Sequence, residues 1–243
     1  MCTVTFVPQG ADDFILTSNR DEQASRSPKG LSTETRHGQQ LLFPRDTEAG
    51  GTWIVTADTN RLVCILNGAF ELHHRTPPYR KSRGLMALDY FDYPNFEPFY
   101  QNYKFDGMEP FTMVVYDQGA LYDFRWDGQK SHLKALDTQE KHIWSSATLY
   151  DAPTKAKREK WFAEWQEEND SYDLDAILHF HRFAGDGDPW NDVIMNRAGL
   201  VQTVSITNVI KKGATIELLY HDLLREQRKQ AELSLNPQKV GSQ

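Results

Sequence analysis

The chain has 243 residues, 39% of them apolar and including 13 Phe, 10 Tyr and 6 Trp, with a formal charge of −7 and an isoelectric point near 5.6. That length supports one large or two small domains with a sizeable core, and the acidic balance argues against a nucleic-acid binder, since nothing basic clusters beyond Lys155-Ala156-Lys157-Arg158 and Lys211-Lys212. Two cysteines, Cys2 and Cys64, exclude a disulfide framework; with no secretory-type leader and no apolar run long enough to span a bilayer, the expectation is a cytoplasmic protein without a membrane span.

In chain order, residues 3–7 and 13–18 are β-branched and aromatic runs around the turn-rich Pro8-Gln9-Gly10-Ala11-Asp12, which predicts a hairpin. Cys2 opens its first strand. The second strand returns Asn19-Arg20-Asp21-Glu22 towards the N-terminus, because an antiparallel hairpin sets the end of one strand beside the start of the other; Cys2, Arg20 and Asp21 are expected to converge. A polar stretch follows, with short strands predicted at 40–43, 52–56 and 61–66, the last ending in Asn67-Gly68. Residues 79–91 suit a helix, with Leu85, Met86, Ala87, Leu88 and Phe91 as its apolar face. Residues 112–116 and 120–126 predict another hairpin, followed by a strand near 131–135. Pro153 starts an amphipathic helix to about Glu168, and Ser171-Tyr172-Asp173 caps a second over 174–183. Residues 204–210 and 215–220 read as a closing hairpin, and 226–243 as a polar, frayed tail. With no repeat, linker or composition shift, residues 1–243 are expected to form one domain.

The position of Cys2 carries chemistry. Methionine aminopeptidase removes Met1 when the next side chain is small, so Cys2 can become the first residue. Its free α-amine, with an ordinary pKa of about 7.7–8.0 against about 8.5 for the thiol, then serves as a base beside the nucleophile.

Met1-Cys2-Thr3, Asn19-Arg20-Asp21-Glu22, Ala49-Gly50-Gly51-Thr52-Trp53-Ile54 and Leu66-Asn67-Gly68 together resemble the NRDE-motif family, which includes the transport and Golgi organisation protein 2 group. Trp144-Ser145-Ser146 leading to Pro153 extends the similarity over most of the chain. The family in turn resembles the N-terminal nucleophile hydrolases, in particular the choloylglycine hydrolase and penicillin V acylase branch. That resemblance implies an α+β fold, a four-layer αββα sandwich of two antiparallel sheets. It implies Cys2 as nucleophile, Asp21 at the matching distance from it, and Asn67 as the strand-end donor to the oxyanion. The hydrolase pattern places its arginine where this chain has Ser18, so Arg20 stands at a different offset. Two further departures are Ser145-Ser146, where relatives show Thr-Asn or Ser-Asn, and Thr203-Val204-Ser205, where many carry Thr-Arg-Ser.

The reaction the resemblance implies is cleavage or transfer of a non-peptide amide or thioester. Cys2, Arg20, Asp21 and Asn67 are the expected catalytic set, and Asn19, Glu22 and Ser146 are candidate binding residues. In that set Arg20 is expected to lower the thiol pKa, Asp21 to hold the α-ammonium or Arg20, and Asn67 to donate to the tetrahedral oxyanion. The expected partner is a small-molecule substrate or ligand. The competing expectation is a non-catalytic carrier of a hydrophobic ligand such as haem or an acyl group, since family roles in Golgi organisation and haem trafficking have been proposed. His179 and His181, two apart on a helix, do not share a face, no Cys/His/acid spacing suits zinc, and neither metal nor cofactor is expected. Cys64, among Val63, Ile65 and Leu66, is expected to be buried and inert.

Overall fold

A computed structural model describes residues 3–28 and 30–236. The elements in order are strands β1 (Thr3–Pro8), β2 (Phe14–Glu22), β3 (Leu31–Arg36), β4 (Gln39–Pro44), β5 (Ile54–Ala57) and β6 (Arg61–Asn67); helices α1 (Arg83–Asp89) and α2 (Phe96–Asn102); strands β7 (Phe111–Asp117), β8 (Ala120–Trp126), β9 (Ser131–Leu136) and β10 (His142–Ser145); helices α3 (Ala152–Glu168) and α4 (Leu174–Phe183); and strands β11 (Asn196–Arg197), β12 (Val201–Lys212), β13 (Thr215–Asp222) and β14 (Gln227–Ser234).

Among the described residues these strands make two antiparallel sheets. One runs β10-β1-β2-β12-β13-β14, with β11 on β12; the other is a meander, β3 through β9 in sequence order. The sheets pack face to face over one apolar core. Phe6 and Phe14 from the first sheet stack with each other at 4.9 Å, and Phe14 meets Tyr116 of the second at 4.5 Å. The outer face of the first sheet carries α3 and α4, where Val7 and Ile15 bury Phe162, Trp165, Ile177 and Phe180. The meander is backed by α1 and α2, whose Met86, Leu88, Phe96 and Phe99 join the main core. The result is the four-layer αββα arrangement, α+β in class.

Local chemistry explains where the helices start. Asp151 and Asp173 accept from the amides of Thr154 and Ala176, capping α3 and α4. α1 is shorter than predicted because Ser82 is its cap, accepting from the amide of Leu85, and its end tightens into a 3-10 turn over Tyr90–Asp92. α2 went unpredicted in a segment punctuated by Pro94 and Pro98; Asn95 caps it.

The C-terminal expectation needs correction. Residues 227–234 are not a frayed tail but strand β14, paired with β13 from Thr215↔Ser234 to Asp222↔Gln227. Only Leu233 in it is buried, and so its polar composition imitates a tail. Residues 237–243 lie outside the described ones.

Candidate active site

β2 continues to Glu22, so the Asn19-Arg20-Asp21-Glu22 segment lies within the strand rather than after it. Successive side chains in a strand point to opposite faces. Asn19 and Asp21 therefore face the helices, whereas Arg20 and Glu22 face an open cleft. The expected convergence of Arg20 with Asp21 is one of sequence position alone.

On the helix side, Asn19 is fully buried and its side chain is fully engaged. Its Nδ2 donates to the carbonyls of His181 (3.0 Å) and Val193 (2.7 Å), which leaves Oδ1 to accept from His181 Nδ1 at 2.7 Å. The other ring nitrogen of His181 then accepts from Thr5 Oγ1 at 2.8 Å. Burial, together with the Arg158 charge, pushes His181 down to about 3, so it stays neutral. Asn19 thus ties α4 and the 191–195 segment to β2. Asp21, also buried, accepts from Thr203 Oγ1 (2.6 Å) and Tyr150 Oη (3.0 Å). Thr203 is its direct neighbour in β12. The next residue, Val204, sits where the β2–β12 register shifts and is fully buried.

Arg158 is the charged group that periodicity did not single out. It is fully buried, its guanidinium stacks 3.7 Å over the Tyr150 ring, it donates to the carbonyls of Asn191 and Asp192, and it bonds Thr3 Oγ1. On the α3 helix it is one more arginine in a charged run. Only the tertiary fold makes it a clamp on the start of β1.

On the other face, a cleft of ≈ 240 Å³ is lined by Arg20, Glu22, Trp53, Asn67, Arg83 and Glu109 among others. Arg20 is 3% exposed. It donates to Asp46 Oδ2 at 2.7 Å and to the carbonyl of Arg26 at 2.7 Å, and lies 4.3 Å over the Trp53 ring. Burial holds its pKa below the ordinary value despite Glu22 and Asp46, so lost hydration outweighs the ion pairs. Glu22 pairs with Arg26 at 2.6 Å, which also reaches Asp46. Asp46 and Arg26 were not candidates from sequence, because nothing local marks them; they meet Arg20 only through the β4–β5 connection and the 3-10 turn after β2.

Asn67 ends β6 in the same cleft. Its carbonyl accepts from Ser146 Oγ at 2.9 Å and from the amide of Ala147 at 3.1 Å, so Ser146 fastens the two sheets together at this corner and points at a backbone, not into the cleft. The Asn67 side-chain amide takes no hydrogen-bond partner among the described residues. Gly68 after it needs its glycine: φ is +78° and a Cβ would stand 3.0 Å from Ala147 Cβ and Thr148 Cγ2. This corner adjoins the start of β1, because Thr3 lies opposite both Asn19 and Ser145. Cys2, one peptide bond before Thr3, lies outside the described residues. Cys64 is fully buried, and burial pushes its thiol up to about 12, which makes it inert as a nucleophile. Among the described residues no group of three or more His, Cys, Asp or Glu side chains could hold a metal ion, and no helix is long and apolar enough to cross a membrane.

The family model described as Transport and Golgi organisation 2 matches residues 1–232. No curated protein matches the sequence. Among solved structures, the chain is similar to conjugated bile acid hydrolase from Clostridium perfringens in two variant forms. The arginine-to-leucine variant superposes with a TM-score of 0.60 and the cysteine-to-alanine variant with 0.61, each at 10% identity and covering 100% of this chain and 95% of that one. A Caenorhabditis elegans N-acylethanolamine-hydrolyzing acid amidase orthologue is 13% identical, with a TM-score of 0.49 over 86% of this chain and 92% of that one. The fold is that of the N-terminal nucleophile hydrolases.

Proposed function

We propose, for a chain that belongs to the Transport and Golgi organisation 2 family, that it is an N-terminal cysteine hydrolase or acyltransferase acting on a non-peptide amide or thioester. The observation that carries this reading is the corner where Thr3 pairs with Ser145, Ser146 binds the Asn67 carbonyl, and the Asn67 side chain, without a hydrogen-bond partner among the described residues, lines a cleft shared with Arg20. The similarity in fold to a bile acid hydrolase is consistent with it.

In this reading, removal of Met1 leaves Cys2 with a free α-amine, which takes the thiol proton. The thiolate sulfur bonds to the acyl carbon, and the carbonyl electron pair moves onto oxygen, where Asn67 donates a hydrogen bond. Collapse of the intermediate breaks the bond to the leaving amine or thiol, which takes the proton from the α-ammonium. Water, or a second acceptor, then releases the acyl group. Asp21 acts from the far face of β2. Arg20, held by Asp46 and stacked on Trp53, contributes positive potential from the cleft side.

The test is to incubate purified protein with an acyl thioester and an alkylating probe and locate the label by mass spectrometry. One label per chain on Cys2, lost in Cys2→Ser, is expected; the buried Cys64 gives no background. A chain that keeps Met1, or one whose Cys2 stays unlabelled, sinks the proposal. The competing carrier reading draws on one observation, the buried Val204 where many relatives carry an arginine. It gains if haem produces a spectral shift that survives Cys2→Ser while no thiol labelling occurs.

A further inference from the structure

Residues 49–54 bring Trp53 into the cleft by a close backbone crossing. Gly51 abuts the start of α1, and the amide of Thr52 donates to the Gly84 carbonyl at 3.1 Å. Trp53, 4% exposed, is thereby seated under the Arg20 guanidinium. It lines the cleft, yet among the described residues its buried Nε1 has no hydrogen-bond partner. An indole nitrogen only donates. Leaving such a donor buried and unmatched is destabilising, so its persistence in a cleft wall points to an acceptor supplied from outside. A cation stacked on the ring draws electron density from it and makes the N–H a better donor.

The charges lining the cleft agree with an anionic acceptor. Four guanidiniums, those of Arg20, Arg26, Arg75 and Arg83, face three carboxylates, those of Glu22, Asp46 and Glu109, so one positive charge is left over among these lining residues. Glu109 is shared, lying 3.1 Å from both Arg75 Nε and Arg83 Nη2. Burial holds the Arg83 pKa below its ordinary value, the behaviour of a cation whose lost hydration is only partly replaced.

We infer that the cleft binds an anionic oxygen group of the ligand, a carboxylate or a phosphate, with the Trp53 indole N–H as donor and the surplus arginine charge as counter-ion. This rests on reading the cleft as the ligand site and adds the class of group it receives. Trp53 and Arg83 are binding residues in it; Gly51 and Gly84 set their positions.

The experiment is a titration of ¹⁵N-labelled full-length protein with octanoate, inorganic phosphate and, as an uncharged control, octanol. The Trp53 indole resonance is identified by its absence in Trp53→Phe. It should move downfield with octanoate or phosphate and stay in place with octanol. A shift with octanoate alone assigns a carboxylate ligand, and with phosphate alone a phosphorylated one. Trp53→Phe, which keeps an aromatic ring but removes the N–H, should weaken binding of that anion about 10-fold or more. If that variant does not fold, Arg83→Met serves in its place, with the indole still present as reporter and an equal or larger loss expected. An indole that ignores both anions, one that octanol shifts equally, or an affinity unchanged in the variant overturns the inference. The shift should persist in Cys2→Ser, so failure of thiol labelling would remove the proposed reaction and leave the anion site standing.

Discussion

Replacing Gly51 with alanine tests whether the backbone crossing builds the cleft. A Cβ at Gly51 would lie 2.4 Å from the Gly84 carbonyl carbon, 2.7 Å from its oxygen and 2.7 Å from the amide nitrogen of Leu85. All three are backbone atoms, so no rotamer change relieves the overlap, and α1 must retreat by about 1 Å to reach ordinary contact. Overpacking of this kind costs about 3 kcal/mol, which lowers the melting temperature of a chain this size by about 6–12 °C. Gly50→Ala is the control. There φ is +69° and nothing lies within 4 Å of the new Cβ, so only left-handed backbone strain of about 1 kcal/mol applies. Thermal unfolding followed by circular dichroism compares the two. A Gly51→Ala protein that melts no lower than Gly50→Ala would show that the 51–84 crossing is slack and that Trp53 is not positioned by it.

Other outcomes follow from the same geometry. Asn67→Ala should leave the melting temperature nearly unchanged, because its side chain has no partner among the described residues, while lowering the rate of Cys2 acylation by about 10²–10³ if it donates to the oxyanion; a rate within a factor of three of the parent refutes that role. Tyr150→Phe removes one donor to Asp21 and should cost about 1–2 kcal/mol in urea unfolding, and an unchanged midpoint would mean that the contact is not maintained in solution. His181 is held neutral in the fold, with its pKa pushed down from 6.5 to about 3. The unfolded chain therefore binds the extra proton below pH 6.5, so this contribution is absent above that pH and destabilises progressively as pH falls towards 3. Between pH 7 and pH 5 the loss is about 2 kcal/mol. His181→Asn should flatten that part of the stability curve; an unaltered slope assigns the acid sensitivity elsewhere.

The strands and the two long helices were legible because their signals are local: β-branched alternation, Asp and Pro at the right capping positions, and Gly or Asn at turns. The edge strand β14 was not, since a polar composition is shared by edge strands and tails. The candidate residues were legible as a set, but the faces on which they act were not. Asn19 was expected to touch ligand and instead holds α4 through His181. Ser146 was expected in the same role and binds a backbone carbonyl.

The sequence by itself determined a chain of hairpins and late helices, a cysteine at position 2 with a tetrad following one strand later, and an Asn-Gly at the end of a strand. These depend on residue type and spacing, which the chain carries openly. The tertiary structure alone decided that Arg20 and Asp21 face opposite ways, because that depends on how far β2 extends, and its extension is set by pairing with β12. It also decided the company each keeps. Asp46, Trp53 and Arg83 reach the cleft from separate parts of the meander and its helix, and Tyr150, Arg158 and Thr203 reach the far face from segments more than a hundred residues downstream. Such encounters follow from sheet register and helix packing, which no local pattern encodes.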